Sequence, residues 1–140
     1  MLVRLMYASR TVPALDPEEL QTILKQSKAH NPKAGITGVL CCSEDIFMQV
    51  LEGGREAVNQ LYNRIVTDPR HRDVTLLSYE EIAERRFAGW AMGQVSMARL
   101  NPALLLKYSE RAQLDPYAVS GKVSVALFDE LVATAAIMGQ

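Results

Sequence analysis

The run "DIFMQVLEG", residues 45 to 53, places one primary amide, Gln49, where every near neighbour from Ile46 to Leu51 is apolar. In a strand, Phe47, Gln49 and Leu51 share one face while Ile46, Met48 and Val50 share the other, so both faces read as buried. A buried amide has two donor hydrogens and an acceptor to satisfy, and leaving one unpaired costs ~1–3 kcal/mol. Its two ends also differ, one donating and the other accepting. Gln49 therefore demands a polar partner. A second cluster of polar chemistry is "RIVTDPRH", residues 64 to 71, where Arg64, Arg70 and His71 are donors and Asp68 an acceptor; by itself such a run reads as a solvated helix end. Cys41 and Cys42 are adjacent in a strand-like stretch and point to opposite faces, which suits neither a mutual disulfide nor a C-x-x-C motif. They read as buried structural thiols, and with only two histidines in the chain a structural zinc site is not expected.

Composition narrows the frame around these residues. The chain has 140 residues, 49% hydrophobic and 22% charged, enough for one domain with its own core. No apolar run approaches the ~20 residues that span a bilayer. The opening "MLVRLMYASR" sets Arg4 inside a strand-like alternation and lacks the features of a signal peptide, so a cytoplasmic location is expected. A net charge of −1 and a pI near 6.1 argue against nucleic-acid binding, which calls for a basic face.

The elements that must position Gln49 follow from periodicity. Residues 2 to 8 alternate as a strand, with Val3, Leu5 and Tyr7 on one face and Leu2, Arg4, Met6 and Ala8 on the other. A helix is predicted to open with Asp16 as N-cap, Pro17 at the first helical position and Glu19 completing a capping box. Leu20, Ile23, Leu24 and Ser27 share its face, His30 follows Ile23 by seven residues, and Pro32 is expected to end it. Residues 35 to 53 predict a hairpin turning at "SED". A second helix follows over residues 55 to 67, striped by Val58, Leu61, Tyr62 and Ile65. Then come strands over "VTLLSYEEI" and over residues 89 to 97, the latter with Trp90 and Met92 pointing the same way. This order predicts an α+β, ferredoxin-like βαββαββ arrangement: a mixed sheet with both helices on one face. The other face is also apolar, through Ile46, Met48 and Val50. A cover is expected from two C-terminal helices, the last with Val123, Leu127, Leu131, Ala135 and Met138 along one side. The expected division is residues 1–97 as the central unit and 98–140 as a helical extension on the back of the sheet.

"YAS" at 7 to 9, "NPKAGITG" at 31 to 38, "FMQVLEG" at 47 to 53, "RIVTDPRH" at 64 to 71 and "FAGWAM" at 87 to 92, in that order, resemble the BLUF domains, which sense blue light with a bound flavin. The C-terminal third resembles that of the short members without an effector domain. The resemblance implies non-covalently bound FAD, its ring held between the two helices. It implies that Asn31 bonds the polar edge of the ring, that Ile23 and Ile65 sandwich it, and that His30 lies beside it. Arg64, Asp68, Arg70 and His71 then serve the ribityl chain and pyrophosphate. Tyr7 and Gln49 meet at the flavin edge, joined by either Trp90 or Met92; Ser27 would bond the indole if Trp90 turned inward.

The same resemblance implies a light-driven cycle: Tyr7 gives up an electron, a proton moves by way of Gln49, and recombination leaves the amide rotated or tautomerised. It implies no enzymatic turnover. A downstream protein partner is expected, and self-association is possible in principle for such a module. Two other classes stand beside this reading. A flavin-dependent oxidoreductase would need a second-substrate site, for which no candidate is visible. A cofactor-free ferredoxin-like module, binding a metabolite or a protein, would make Tyr7 and Gln49 a satisfied core pair.

Overall fold

Alternation at the N-terminus forms β1, Leu2–Thr11, which runs past the stretch read from the sequence. The first helix, α1, covers Pro17–Ala34, and the Asp16 side chain accepts the Glu19 N–H at 2.7 Å as its cap. Pro32 does not end it, contrary to expectation. Proline here falls in the last turn, and the stop is Gly35, whose φ of 70° lets its N–H reach the carbonyls of Asn31 and Pro32. The extra turn keeps Asn31 in the helix, where it is buried.

The hairpin strands are β2, Thr37–Ser43, and β3, Ile46–Gly54, with Glu44 at φ 54° in the turn. β3 is buried on both faces from Ile46 to Gly53. Helix α2 spans Arg55–Thr67, followed by β4, His71–Ile82, which begins three residues before the expected strand. After β4 come β5, Gly93–Val95, and the helices α3, Pro102–Tyr108, and α4, Gly121–Thr134. A short β6, Ile137–Met138, ends the described chain. This computed structural model describes residues 1–11, 16–95, 101–134 and 137–138.

The sheet order is β4-β1-β3-β2-β5-β6, and among the described residues only the β2–β5 pairing is parallel. Its first four strands with α1 and α2 make the ferredoxin-like unit. On the helix-bearing front, Val3, Leu5, Phe47 and Leu51 pack with Leu24 of α1 and Val58 of α2. On the back, Met6, Val39, Met48 and Val50 pack with Leu105 of α3 and Leu127, Phe128 and Leu131 of α4. The C-terminal helices thus cover the second face, as the apolar parity of β3 required.

Further expectations change. The last helix is described to Thr134 and Ala135 lies outside the described residues, while Met138 belongs to β6, paired antiparallel with β5. Val123 is half-buried; the fully covered positions are Ser124, Leu127, Phe128 and Leu131. β5 starts only at Gly93, because Trp90 N–H bonds back to the Phe87 carbonyl at 3.0 Å and holds the chain in a turn. Trp90 and Met92 therefore do not share a strand face. Residue 97 lies outside the described residues. Cys41 is buried, its thiol pushed up to about 12 chiefly by burial, while Cys42 is only half-buried.

Candidate functional site

The β1–β3 register sets Tyr7 directly opposite Gln49 on the front of the sheet. Tyr7 Oη donates to Gln49 Oε1 at 2.5 Å, and Gln49 Nε2 donates to Met92 Sδ at 3.2 Å. The buried amide is thus engaged at both ends, by a phenol and a thioether, and retains a further donor hydrogen to offer the cleft above it. Tyr7 is 1% exposed. Burial, followed by the nearby Tyr62 and Asp68, holds its phenol well above the usual tyrosine range, so it is protonated at neutral pH. Its ring lies 6.3 Å from that of Phe47 and 5.7 Å from that of Tyr62.

Above this pair, α1 and α2 bound a cleft of about 300 Å³, at the small end of the range for organic ligands. Ile23 and Ile65 are half-buried on its opposing helices, and Leu61 and Phe47 add apolar lining. Ser27 and Gln26 border it from α1. Asn31 also lines it and donates from Nδ2 to the Ala91 carbonyl at 3.0 Å, which ties the end of α1 to the segment before β5.

The polar rim comes from the two helix ends. Arg64 Nη2 and His30 Nε2, both exposed, lie 3.3 Å apart. Asp68 accepts from the Arg70 backbone N–H at 2.9 Å and from its guanidinium at 2.7 to 3.1 Å. These bonds hold the Asp68 carboxyl below its ordinary value and raise the Arg70 guanidinium. His71 is half-buried, with Nδ1 2.7 Å from Ser9 Oγ and its ring edge-on to Phe47 at 5.1 Å. Burial lowers its pKa, partly opposed by Asp68.

The structure therefore brings together Tyr7, Gln49, Ile23, Ser27, His30, Asn31, Arg64, Ile65, Asp68, Arg70 and His71 around one cleft. Met92 reaches it through Gln49. Trp90 does not line it: half-buried, it packs against the back-face cluster, while Met92 sits in the front one. The irregular backbone at 90–92 breaks the strand parity that put both on one side. Sequence reasoning passed over Phe47, Leu61 and Gln26 as lining, and Ser9 as partner of His71. Phe47 was accessible from its parity with Gln49, and Leu61 from the stripe of α2; nothing in the sequence signalled Gln26 or Ser9.

A hydrogen-bonding floor, apolar walls on opposing helices and a cationic rim suit a flat, apolar-faced ring with polar edges that carries a hydroxylated, phosphorylated tail. The residues present fit a flavin. Among the described residues, no group of three or more His, Cys, Asp and Glu could hold a metal ion. No described helix is long and apolar enough to cross a membrane.

Residues 2–93 match the BLUF family, described as sensors of blue light using FAD. The photoactivated adenylate cyclase subunit beta of Euglena gracilis is 37% identical over 84 residues, 60% of this chain and 10% of that protein. The blue light- and temperature-regulated antirepressor BluF of Escherichia coli K12 is 30% identical over 87 residues, 62% of this chain and 22% of that protein. The chain thus spans only about a tenth to a fifth of these relatives. Among solved structures, BlrB in its dark state superposes with a TM-score of 0.78 at 34% identity, covering 94% of this chain and 95% of that one. BlsA in its photo-activated state gives 0.81 at 28% identity, covering 99% and 100%. Klebsiella pneumoniae BlrP1 with FMN and cyclic diGMP gives 0.65 at 31% identity, covering 96% of this chain and 30% of that one. With the family's match running through both strands of the Tyr7–Gln49 pair and both helices over it, the chain belongs to the BLUF family of blue-light sensors.

Proposed function

We propose that the cleft between α1 and α2 holds FAD non-covalently and that blue light is converted there into an exchange of the donor and acceptor ends of Gln49. The observation that carries this reading is the hydrogen-bonded series Tyr7–Gln49–Met92 on the floor of the cleft. When bound, the flavin supplies absorption of blue light and, once excited, an acceptor for one electron.

Tyr7 is the donor of that electron. A phenol held protonated by burial must release its proton as it is oxidised, and Gln49 Oε1, 2.5 Å away, is the group placed to receive it. Return of electron and proton to Tyr7 balances the cycle and leaves the amide turned end for end or as its tautomer. With flavin bound, the donor that Gln49 then presents to the cleft would bond the ring's polar edge, and that change would account for a shift of absorption to the red.

Ile23 and Ile65 exclude water from the ring faces in this reading, and Asn31 bonds its polar edge. Arg64 and Arg70 favour a tail with phosphate charge, His30 and His71 offer ring nitrogens beside it, and their spread along the rim supports FAD over the shorter FMN. The family is described as sensors of blue light using FAD, and we assign this chain sensing without turnover of its own. The relatives include a photoactivated adenylate cyclase subunit of which this chain matches 10%, so we assign this chain a protein partner as its output. Residues 98–140 act as the sheet's cover in that scheme, and the back face lies between the photochemical pair and whatever binds them.

Absorption spectra before and after blue light test the reading. An oxidised-flavin band with a red shift that reverses in the dark is expected, and denaturation should release FAD on chromatography. Protein that stays colourless with added flavin refutes it; released FMN alone refutes the choice of cofactor. Light-independent consumption of a nicotinamide would instead favour an oxidoreductase.

A further inference from the structure

Glu52 lies three residues after Gln49 on β3 and on the opposite face, with 0% exposure. Its carboxylate is fully engaged. Oε2 accepts from Arg4 Nε at 2.8 Å and Nη2 at 2.7 Å and from the Arg86 backbone N–H at 3.1 Å, while Oε1 accepts from the Phe87 N–H at 2.7 Å. Arg4 is steadied from its other side by Glu80 at 2.9 Å.

The two backbone bonds fix the start of an irregular segment whose far end reaches the photochemical pair. Beyond Phe87 the chain turns through the Trp90 N–H to Phe87 carbonyl bond, is held at the Trp90 carbonyl by the Gly38 N–H at 3.0 Å, and at the Ala91 carbonyl by Asn31. It then delivers Met92 Sδ to Gln49. No strand geometry orients Met92, which precedes β5. Its placement depends on these anchors, together with the ion pair of the Arg86 side chain with Asp129 of α4, and the carboxylate is the one that takes two consecutive backbone N–H groups.

We propose that Glu52 is a positioning residue for the photoreaction: by pinning Arg86 and Phe87 it sets the Met92 sulfur against the Gln49 amide. This rests on the reading of Tyr7 and Gln49 as the photochemical pair. Glu52→Gln keeps the side chain's size but replaces one acceptor by a donor, which faces an N–H with another N–H. Its influence on Gln49 runs through Met92, so it should disappear when Met92 has no sulfur to place.

The test is a double-mutant cycle on flavin-loaded protein: wild type, Glu52→Gln, Met92→Leu and both together. Glu52→Gln is expected to change the dark-recovery rate by about twofold or more, and to change it by less than that in the Met92→Leu background. Equal fold-changes in the two backgrounds overturn the proposal. In the dark state, Glu52→Gln should also move the Met92 methyl resonance while leaving the Leu24 methyls in place; an unmoved Met92 methyl overturns it too. Should Glu52→Gln not hold flavin, wild type alone decides: on illumination the Phe87 amide resonance is expected to move with the Met92 methyl, and a Phe87 amide that stays fixed while Met92 moves refutes the coupling. A wild type without a red shift would strike the reading of Tyr7 and Gln49 instead, leaving the two failures distinct.

Discussion

Gln49 is the residue on which sequence and site meet. An amide buried in an apolar strand announces an obligation to bond, and Tyr7 was legible as a partner because both fall on the inward parity of their strands. Met92 stood only as one of two alternatives with Trp90, since the choice depends on a turn at residues 87–90 that no periodicity describes. Gln49→Leu removes the amide together with its need for partners, so the fold and bound flavin should persist while the light-induced red shift disappears. Tyr7→Phe keeps the ring's packing but lacks the oxidisable hydroxyl, and the same loss is expected. A core pair without photochemical duty would instead give a stability change on the order of 1 kcal/mol in each variant and an intact photoresponse. Light-minus-dark spectra of both variants separate these outcomes. His71 carries a prediction of another kind. Its folded-state pKa lies below the ordinary 6.5 because burial disfavours the imidazolium, so the unfolded chain binds the proton more readily. The associated stability is present above about 6.5 and is lost as pH falls through the lowered value. Asp68, held down by Arg70, adds its loss further into acid, below the ordinary 3.8. Melting temperatures of His71→Gln should accordingly decline less than those of wild type between about pH 6.5 and pH 5; parallel curves would remove His71 from the account.

Elements were legible where local chemistry and periodicity agreed. The Asp16 cap, the helix from Arg55 and the hairpin around Glu44 all follow from side chains within a few residues of the feature itself. They were illegible where a long-range contact decided. Pro32 reads as a stop, yet Gly35 in the left-handed region supplies a better one three residues on. β6 could not be seen because a two-residue strand has no period, and its existence depends on the exposed edge of β5. Close approach is another long-range feature, and Gly121 shows it at the start of α4. A Cβ there would lie 1.9 Å from the Leu77 carbonyl of β4, and that backbone oxygen cannot turn aside as a flexible side chain would. Gly121→Ala should therefore push α4 off β4 and destabilise the protein by ~1–3 kcal/mol. The flavin band in the dark should be unaffected, because the contact lies on the face away from the cleft. Chemical unfolding followed by both far-UV circular dichroism and flavin absorbance reads the two effects together; an unchanged midpoint would show that the helix start accommodates a methyl group.

At the scale of the whole molecule, the sheet works as a partition. Its front carries the cleft and its back carries a second apolar layer, and β3 contributes Gln49 to one side and Met48 and Val50 to the other. The segment 86–92 touches both layers, through Phe87 and Trp90 behind and Met92 in front, and so offers a turn of that amide a route to the far layer. Arg86 strengthens that link by pairing its side chain with Asp129 of α4 while Glu52 holds its amide. In the proposed reading the cover is both a structural necessity and a surface on which a change at the front registers. Ending the chain after residue 97 tests the first half of that statement. Met6, Val39, Met48 and Val50, each at most 2% exposed in the intact protein, would face water as one contiguous patch, of the kind soluble monomers rarely tolerate. Removal of β6 would also leave β5 as an unpaired edge. Light scattering on the truncated protein is expected to show aggregation or new self-association. A soluble monomer with unaltered photochemistry would mean that residues 98–140 are dispensable to the sheet, and the role of cover would have to be withdrawn.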